Sequence, residues 1–240
     1  SGAAQAVIAN SGVANAATGP EGLADARAMS RFTSAALGIA DDLVLVASTG
    51  VIGHRLPVHK IEAGIKGLVA GLHKDGIPDA EAGIMTTDRF PKIAVRKGAI
   101  GGKEVTLCGI AKGAGMIQPN MATMLAFVMT DAAIETNLLD QVFRRSIAGS
   151  FNAISVDGCM STNDTALILS NGVAGNPLLR RGSANVTRFR ELLSDLLAEL
   201  ARGLVRDGEG ATKVIEITVT EARTRREAQR IAYAVANSNL

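Results

Sequence analysis

Ala111-Lys-Gly-Ala-Gly-Met-Ile-Gln-Pro-Asn-Met-Ala-Thr-Met-Leu125 sets a glycine-rich, proline-containing segment directly against Thr123. Met124-Leu-Ala-Phe-Val-Met-Thr130 follows, an apolar run with the length and composition of a buried strand. A threonine at the junction of a loop and a core strand is well placed to be a nucleophile. Cutting the Ala122–Thr123 bond would give Thr123 a free α-amine beside its hydroxyl, the N-terminal-threonine form of a nucleophile–base pair. The reference pKa of that amine, about 8, leaves a neutral fraction near neutral pH. Lys112, close by in sequence, would lower it by charge repulsion. Taken alone, a threonine in this position is more often an ordinary strand residue.

Outward from this run, strands and helices mix along the whole chain, which indicates an α/β sandwich. Ala3 to Ala9 reads as a strand and Asn10 to Gly19 as a small-residue loop. Pro20 and Glu21 then open a helix that stops at Gly38. Leu43 to Ala47 is a buried strand ending in the glycine turn Ser48-Thr-Gly-Val-Ile-Gly53. Pro57 starts a second helix, with Ile61, Ile65, Leu68, Val69 and Leu72 at helical spacing.

Ile84 to Asp88 is a short element with a polar end. Lys92–Lys97 and Glu104–Ile110 form a hairpin around Gly98-Ala-Ile-Gly-Gly102. Helices are expected over Asn137–Ser150, Thr187–Arg206 and Arg225–Asn237. Strands are expected at Ile154–Asp157, Thr165–Ser170 and Lys213–Thr220.

Composition narrows the function. Of 240 residues, 47% are hydrophobic and 20% charged, as in ordinary globular proteins. A net charge of +2, 3% aromatics and no Trp argue against nucleic acid as a partner. No apolar run is long enough to span a membrane and no signal peptide is evident, so the expected compartment is the cytoplasm. Cys108 and Cys159 are too few for a disulfide scaffold and read as small buried hydrophobes. His54 and His59 lack the His-Glu-x-x-His spacing, so no metal site is expected. Gly113-Ala-Gly115 lacks the Gly-Lys-Ser/Thr of a P-loop.

Four features could complete a site around Thr123. Ser48-Thr49-Gly50 follows an apolar strand, so its N–H groups and the Thr49 hydroxyl could form an oxyanion hole. An ordinary strand–loop–helix turn has the same look. Lys112 could bind a carboxylate, though most lone lysines are solvated. Thr86-Thr87-Asp88 and Ser161-Thr162-Asn163-Asp164 could orient an amino-acid substrate, or serve as turn and cap residues.

Together these motifs resemble the ornithine acetyltransferase family, arginine-biosynthesis proteins with glutamate N-acetyltransferase activity. The resemblance rests on Asn10–Gly19, Ala47–Gly53, Ile84–Asp88, Gly109–Leu125, Ser150–Thr165 and Asp207-Gly-Glu-Gly-Ala-Thr-Lys213, in family order. It implies a four-layer α/β/β/α sandwich of the ornithine acetyltransferase type, resembling N-terminal-nucleophile hydrolases.

The resemblance further implies one catalytic region over 1–240 that cuts itself between Ala122 and Thr123. The cut would leave an alpha chain (residues 1–122) and a beta chain (residues 123–240), assembled as a heterotetramer of two alpha and two beta chains. Thr123 would carry the acetyl group from N2-acetylornithine to glutamate. Thr49 and Gly50 would supply the oxyanion hole, and Thr86, Lys112 and Thr123 would contact substrate. No cofactor is implied, although bifunctional members also accept acetyl-CoA as co-substrate.

Family members carry further chain before Ser1 and after Leu240, including a Gly-x-Asp-Pro-Asn-Trp-Gly-Arg motif, so 1–240 alone is expected to be weak or inactive. The competing readings are an aminopeptidase or amidohydrolase of the same architecture, which typically has serine at the cut, and a non-catalytic fragment.

Overall fold

The computed structural model describes residues 2–118 and 124–238. Two sheets form the framework. Strands β1 (Ala6–Val13) and β2 (Val44–Val51) pair in parallel, with Gly12 opposite Gly50. Strands β3 (Ile93–Ile100), β4 (Lys103–Lys112), β5 (Leu125–Thr130) and β6 (Thr165–Ser170) form a mixed sheet in that order. β3–β4 is the expected hairpin, but its turn is only Gly101-Gly102, because Gly98–Ile100, expected as loop, pair with Lys103–Val105; β5–β6 is a parallel pair.

The pleat of each strand separates its residues between two layers. Val7, Ala9 and Ala47 face Ile93, Ile110, Leu125, Phe127 and Leu167 across the space between the sheets. Helix α3 (Ile77–Ile84) adds Ile77 and Ile84 to that layer. Ile8, Val44 and Val46, on the opposite face of the small sheet, pack with Met29 of α1 (Gly19–Leu37) and Val58 and Ile61 of α2 (Val58–Ala70).

On the far face of the large sheet, Val105, Leu107, Ala126 and Val128 meet α4 (Thr136–Ala148) and α5 (Asn185–Arg206). The four layers are therefore α/β/β/α, as the resemblance implied. The stripe Phe189, Leu192, Leu193, Leu196, Leu197, Leu200 and Leu204 of α5 is buried throughout. Each such leucine contributes roughly 1.5–3 kcal/mol of transfer free energy.

Several expectations are corrected. β1 runs on through Asn10-Ser-Gly-Val13 and β2 through Ser48-Thr-Gly-Val51, where a loop and a turn were expected. Small polar residues extend as strands here because backbone pairing with the neighbouring strand decides the conformation, not side-chain propensity. Ile77–Ile84 was not expected as a helix, although Pro78 in its first turn and Asp79 beside it mark a start.

Ile154–Asp157 is irregular and is tied to the glycine-rich loop by Val156 N–H donating to the Ile117 carbonyl at 2.7 Å. Lys213–Thr220 alternates like a strand but pairs with no described strand, and Ile215 is 79% exposed. A strand pattern without a ladder partner leaves its backbone to water. Helix α6 (Arg225–Ala236) follows, capped by the Thr224 hydroxyl accepting from Glu227 N–H at 3.1 Å. Cys159 is exposed, not buried, and Cys108 is intermediate. Among the described residues no helix is long and apolar enough to cross a membrane.

Candidate active site

β4 ends at Lys112, and Leu125 of β5 stands opposite it in register. Lys112 is only 2% exposed, so it is not the solvated surface lysine that its residue type would favour. Its Nζ donates to Thr86 Oγ1 at 3.0 Å. Burial pushes its pKa down; the facing Asp88 and Glu81 carboxylates oppose the fall and Lys92 adds to it.

Thr86 is placed by Asp88. Asp88 Oδ2 accepts from Thr86 N–H at 3.2 Å, and Oδ1 accepts from Gly113 N–H at 2.7 Å and from Lys92 Nζ at 2.7 Å. Burial alone would raise the Asp88 carboxyl. Hydrogen bonds from Lys92, Gly113 and Thr86 outweigh it and hold Asp88 below its ordinary value. Lys92 also reaches Asp207 at 2.6 Å, and Arg89 holds the other Asp207 oxygen at 3.0 Å. Asp207 is likewise pushed up by burial and pulled further down by Lys92 and Arg89.

This clamp joins the C-terminus of α5 to the loop bearing Thr86, and it delivers Glu209 two residues later. Glu209 Oε1 accepts from Thr87 Oγ1 at 2.9 Å, and Glu209 N–H donates to the Ala114 carbonyl at 2.7 Å. A Cβ on Gly115 would sit 3.0 Å from the Glu209 carboxyl carbon, so glycine there lets the carboxylate close on the loop.

Gly12, Gly50, Val51, Thr86, Thr87, Lys112, Ala114, Gly115, Met116, Asp157 and Glu209 line one cleft of about 350 Å³. It opens where the two sheets meet. Its wall is strained at Met116, whose φ is 52°. Asp157 holds that turn by accepting from the N–H groups of both Met116 and Ile117, the latter at 3.0 Å.

Gly50 belongs to the cleft for a steric reason. Its φ is 128°, and a Cβ there would lie 2.4 Å from the backbone carbon of Gly12. Thr49, just before it, is fully buried, and its Oγ1 has no hydrogen-bond partner among the described residues. Ser48 Oγ and Asn10 Oδ1 are orphaned in the same way.

Of the residues read from the sequence, the cleft brings together Gly50, Thr86 and Lys112, with Thr49 adjoining. Ala122 and Thr123 lie outside the described residues. Glu209 and Asp157 were missed as site residues. Glu209 stands inside Asp207–Lys213, and its signal was a carboxylate between two glycines in a segment already singled out. A buried cation and a carboxylate in one cleft suit a ligand carrying both charges, such as an amino acid.

A four-layer α/β/β/α sandwich whose sheets meet at a polar cleft is the class that fold and site define. A family model described as the ArgJ family matches residues 1–240, and the chain belongs to that family. The arginine biosynthesis bifunctional protein ArgJ of Geobacter sulfurreducens is 55% identical over 240 residues, covering 100% of this chain and 61% of the relative. Its counterpart in Symbiobacterium thermophilum is 52% identical over 236 residues, covering 98% and 59%. The chain thus spans about 60% of the length of these curated relatives.

Among solved structures, ornithine acetyltransferase complexed with ornithine, from Mycobacterium tuberculosis, is 40% identical with a TM-score of 0.42. The match covers 48% of this chain and 62% of that one. The arginine biosynthesis bifunctional protein argJ of Bacillus halodurans is 42% identical with a TM-score of 0.44, covering 48% and 61%.

Proposed function

We propose that the whole protein is an acetyltransferase that moves an acetyl group from N2-acetylornithine to glutamate through an acetyl-Thr123 ester. The observation that carries this reading is that buried Lys112 and the Glu209 carboxylate line one cleft beside Thr49–Gly50. Family membership supports it, as do the relatives' names.

Thr123 first frees itself. Its hydroxyl attacks the Ala122 carbonyl carbon, the C–N bond breaks, and the α-amine of Thr123 leaves with the proton. Water then opens the ester, leaving a carboxylate on Ala122 and the hydroxyl on Thr123. The alpha chain (residues 1–122) supplies β1–β4, and the beta chain (residues 123–240) supplies β5 and β6. The β4–β5 ladder and the Lys92–Asp207 pair hold the two chains together after the cut.

In turnover the Thr123 amine takes the hydroxyl proton as oxygen attacks the acetyl carbonyl. Thr49 and Gly50 stabilise the developing oxyanion. Lys112 pairs with the substrate α-carboxylate, next to Thr86, and Glu209 takes the ammonium end of N2-acetylornithine. Ornithine leaves, glutamate attacks the acetyl ester through its α-amine, and N-acetylglutamate departs with the Thr123 hydroxyl restored.

No cofactor takes part; acetyl-CoA is an alternative donor, in keeping with the word bifunctional in the relatives' names. The assembly is a cytoplasmic heterotetramer of two alpha and two beta chains. The test is acetyl transfer by the whole protein. Glutamate-dependent release of ornithine supports the reading; release at the same rate without glutamate would show an amidohydrolase instead.

A further inference from the structure

Met124 follows Thr123, and both of its backbone groups are held by the consecutive residues Asp164 and Thr165. Its N–H, which belongs to the bond joining residues 123 and 124, donates to Asp164 Oδ1 at 2.9 Å. Its carbonyl accepts from Thr165 N–H at 3.0 Å. The regular ladder between β5 and β6 starts only at Leu125 opposite Thr165. A side-chain carboxylate therefore takes the place of a backbone acceptor one residue before the strand begins.

The residue before Asp164 grips the opposite wall of the site. Asn163 Nδ2 donates to the Ser48 carbonyl at 3.1 Å, one residue ahead of Thr49. The dipeptide Asn163-Asp164 thus bridges β2 at the proposed oxyanion hole and β5 at the proposed nucleophile.

Asp164 also differs in kind from the carboxylates that hold the scaffold. Asp88 and Asp207 each have a lysine at salt-bridge distance and are held low. Asp164 forms no salt bridge among the described residues. Burial pushes its carboxyl up to about 6, and the Met124 N–H only partly offsets that. Among the described residues no other titratable group contributes to the shift. A carboxylate kept half-buried with no cation beside it among the described residues is costly as a structural device, and here it binds the amide that follows Thr123.

We propose that Asp164 is a positioning residue for Thr123: its carboxylate holds the Met124 N–H while Asn163 fixes the same segment to Ser48, so that the chain entering β5 is set against the strand bearing Thr49 and Gly50. The inference rests on the proposed role of Thr123. Ionised, Asp164 makes a charge-assisted hydrogen bond to the Met124 amide; protonated, it makes a weaker one. Alignment of the nucleophile therefore improves as Asp164 loses its proton.

The test uses the whole protein, with wild type, Thr123→Ala, Asp164→Ala, Asp164→Asn and Asp164→Glu followed by mass spectrometry for the cut and by acetyl transfer for turnover. An uncut, inactive wild type removes the proposed function itself, whatever Asp164 does. Given a wild type that cuts, Asp164→Ala is expected to slow cutting and kcat by about tenfold or more, the loss of one charge-assisted hydrogen bond. KM for N2-acetylornithine should stay within about twofold, since substrate contacts are untouched.

Asp164→Asn keeps an acceptor oxygen and nearly the same shape, so it decides the matter even if the alanine variant fails to fold. It is expected to retain a fraction of the rate and to lose the wild-type inflection near pH 6, with Asp164→Glu restoring that inflection. Wild-type rates in Asp164→Asn, or the same inflection in wild type and Asp164→Asn, would overturn the proposal.

Discussion

The Lys92 ammonium lies 2.6 Å from the Asp207 carboxylate, and the two side chains are 1% and 0% exposed. The same ammonium holds Asp88 at 2.7 Å, so one lysine bridges two buried acids from distant regions of the chain. Removing one partner of a buried pair strands the other charge, which typically costs about 3–5 kcal/mol. Lys92→Met is therefore expected to destabilise the protein by about that amount, measured by chemical denaturation. A loss below about 1 kcal/mol would place the pair among weak surface bridges.

Acid should weaken the same clamp. The folded pKa values of Asp88 and Asp207 are lowered, so their contribution is complete above the ordinary carboxylate value of 3.8 and is lost as pH falls through the folded values. Glu81 works with the opposite sign. Burial pushes it from 4.5 to about 7; Lys92 N–H binds Oε1 at 2.9 Å, and Oε2 has no partner among the described residues. The folded state binds more protons than the unfolded state between those values. Stability is therefore expected to fall as pH rises from 4.5 to about 7. A shift of that size corresponds to on the order of 3 kcal/mol. Glu81→Gln should flatten this limb in denaturation midpoints taken across the range, and an unchanged pH profile would contradict the assignment.

Gly50→Ala should fail for two independent reasons. The new Cβ would press on the Gly12 backbone at 2.4 Å, and alanine would have to hold a φ of 128°. Strain of this kind costs about 1–3 kcal/mol before any clash. The expected result is a lower melting temperature together with loss of acetyl transfer. Wild-type stability would show that β1 and β2 do not approach as described.

On the proposed function, Lys112→Met and Glu209→Gln should each weaken the hold on one end of the substrate. Each removes one charge from the cleft that both line. Each is expected to lower kcat/KM for N2-acetylornithine by roughly ten- to a hundredfold, the scale of a charged hydrogen bond. An uncharged donor ester should be less affected by Glu209→Gln. Equal kcat/KM in wild type and both variants would remove the two-charge reading of the cleft.

The sequence displayed the layers more clearly than the site. The α5 stripe from Phe189 to Leu204 and the hairpin about Gly101-Gly102 follow local rules of periodicity and turn chemistry. Asn10–Val13 and Ser48–Val51 do not, because their extension comes from pairing with each other across some forty residues of chain. Lys213–Thr220 shows the converse, a strand pattern with no described strand beside it. Lys112 and Thr86 were visible through the resemblance. The Asp88–Lys92–Asp207 clamp was not, since it joins positions more than a hundred residues apart, and Glu209 enters the cleft only through that clamp.

The most direct measurement of the central claim is the intact mass of the whole protein and of its Thr123→Ala variant, before and after N2-acetylornithine is added. The expected result is two pieces divided between Ala122 and Thr123, an acetyl group on the Thr123 piece, and an uncut, unacetylated variant. A single uncut wild-type chain, or an acetyl group carried elsewhere, would contradict it.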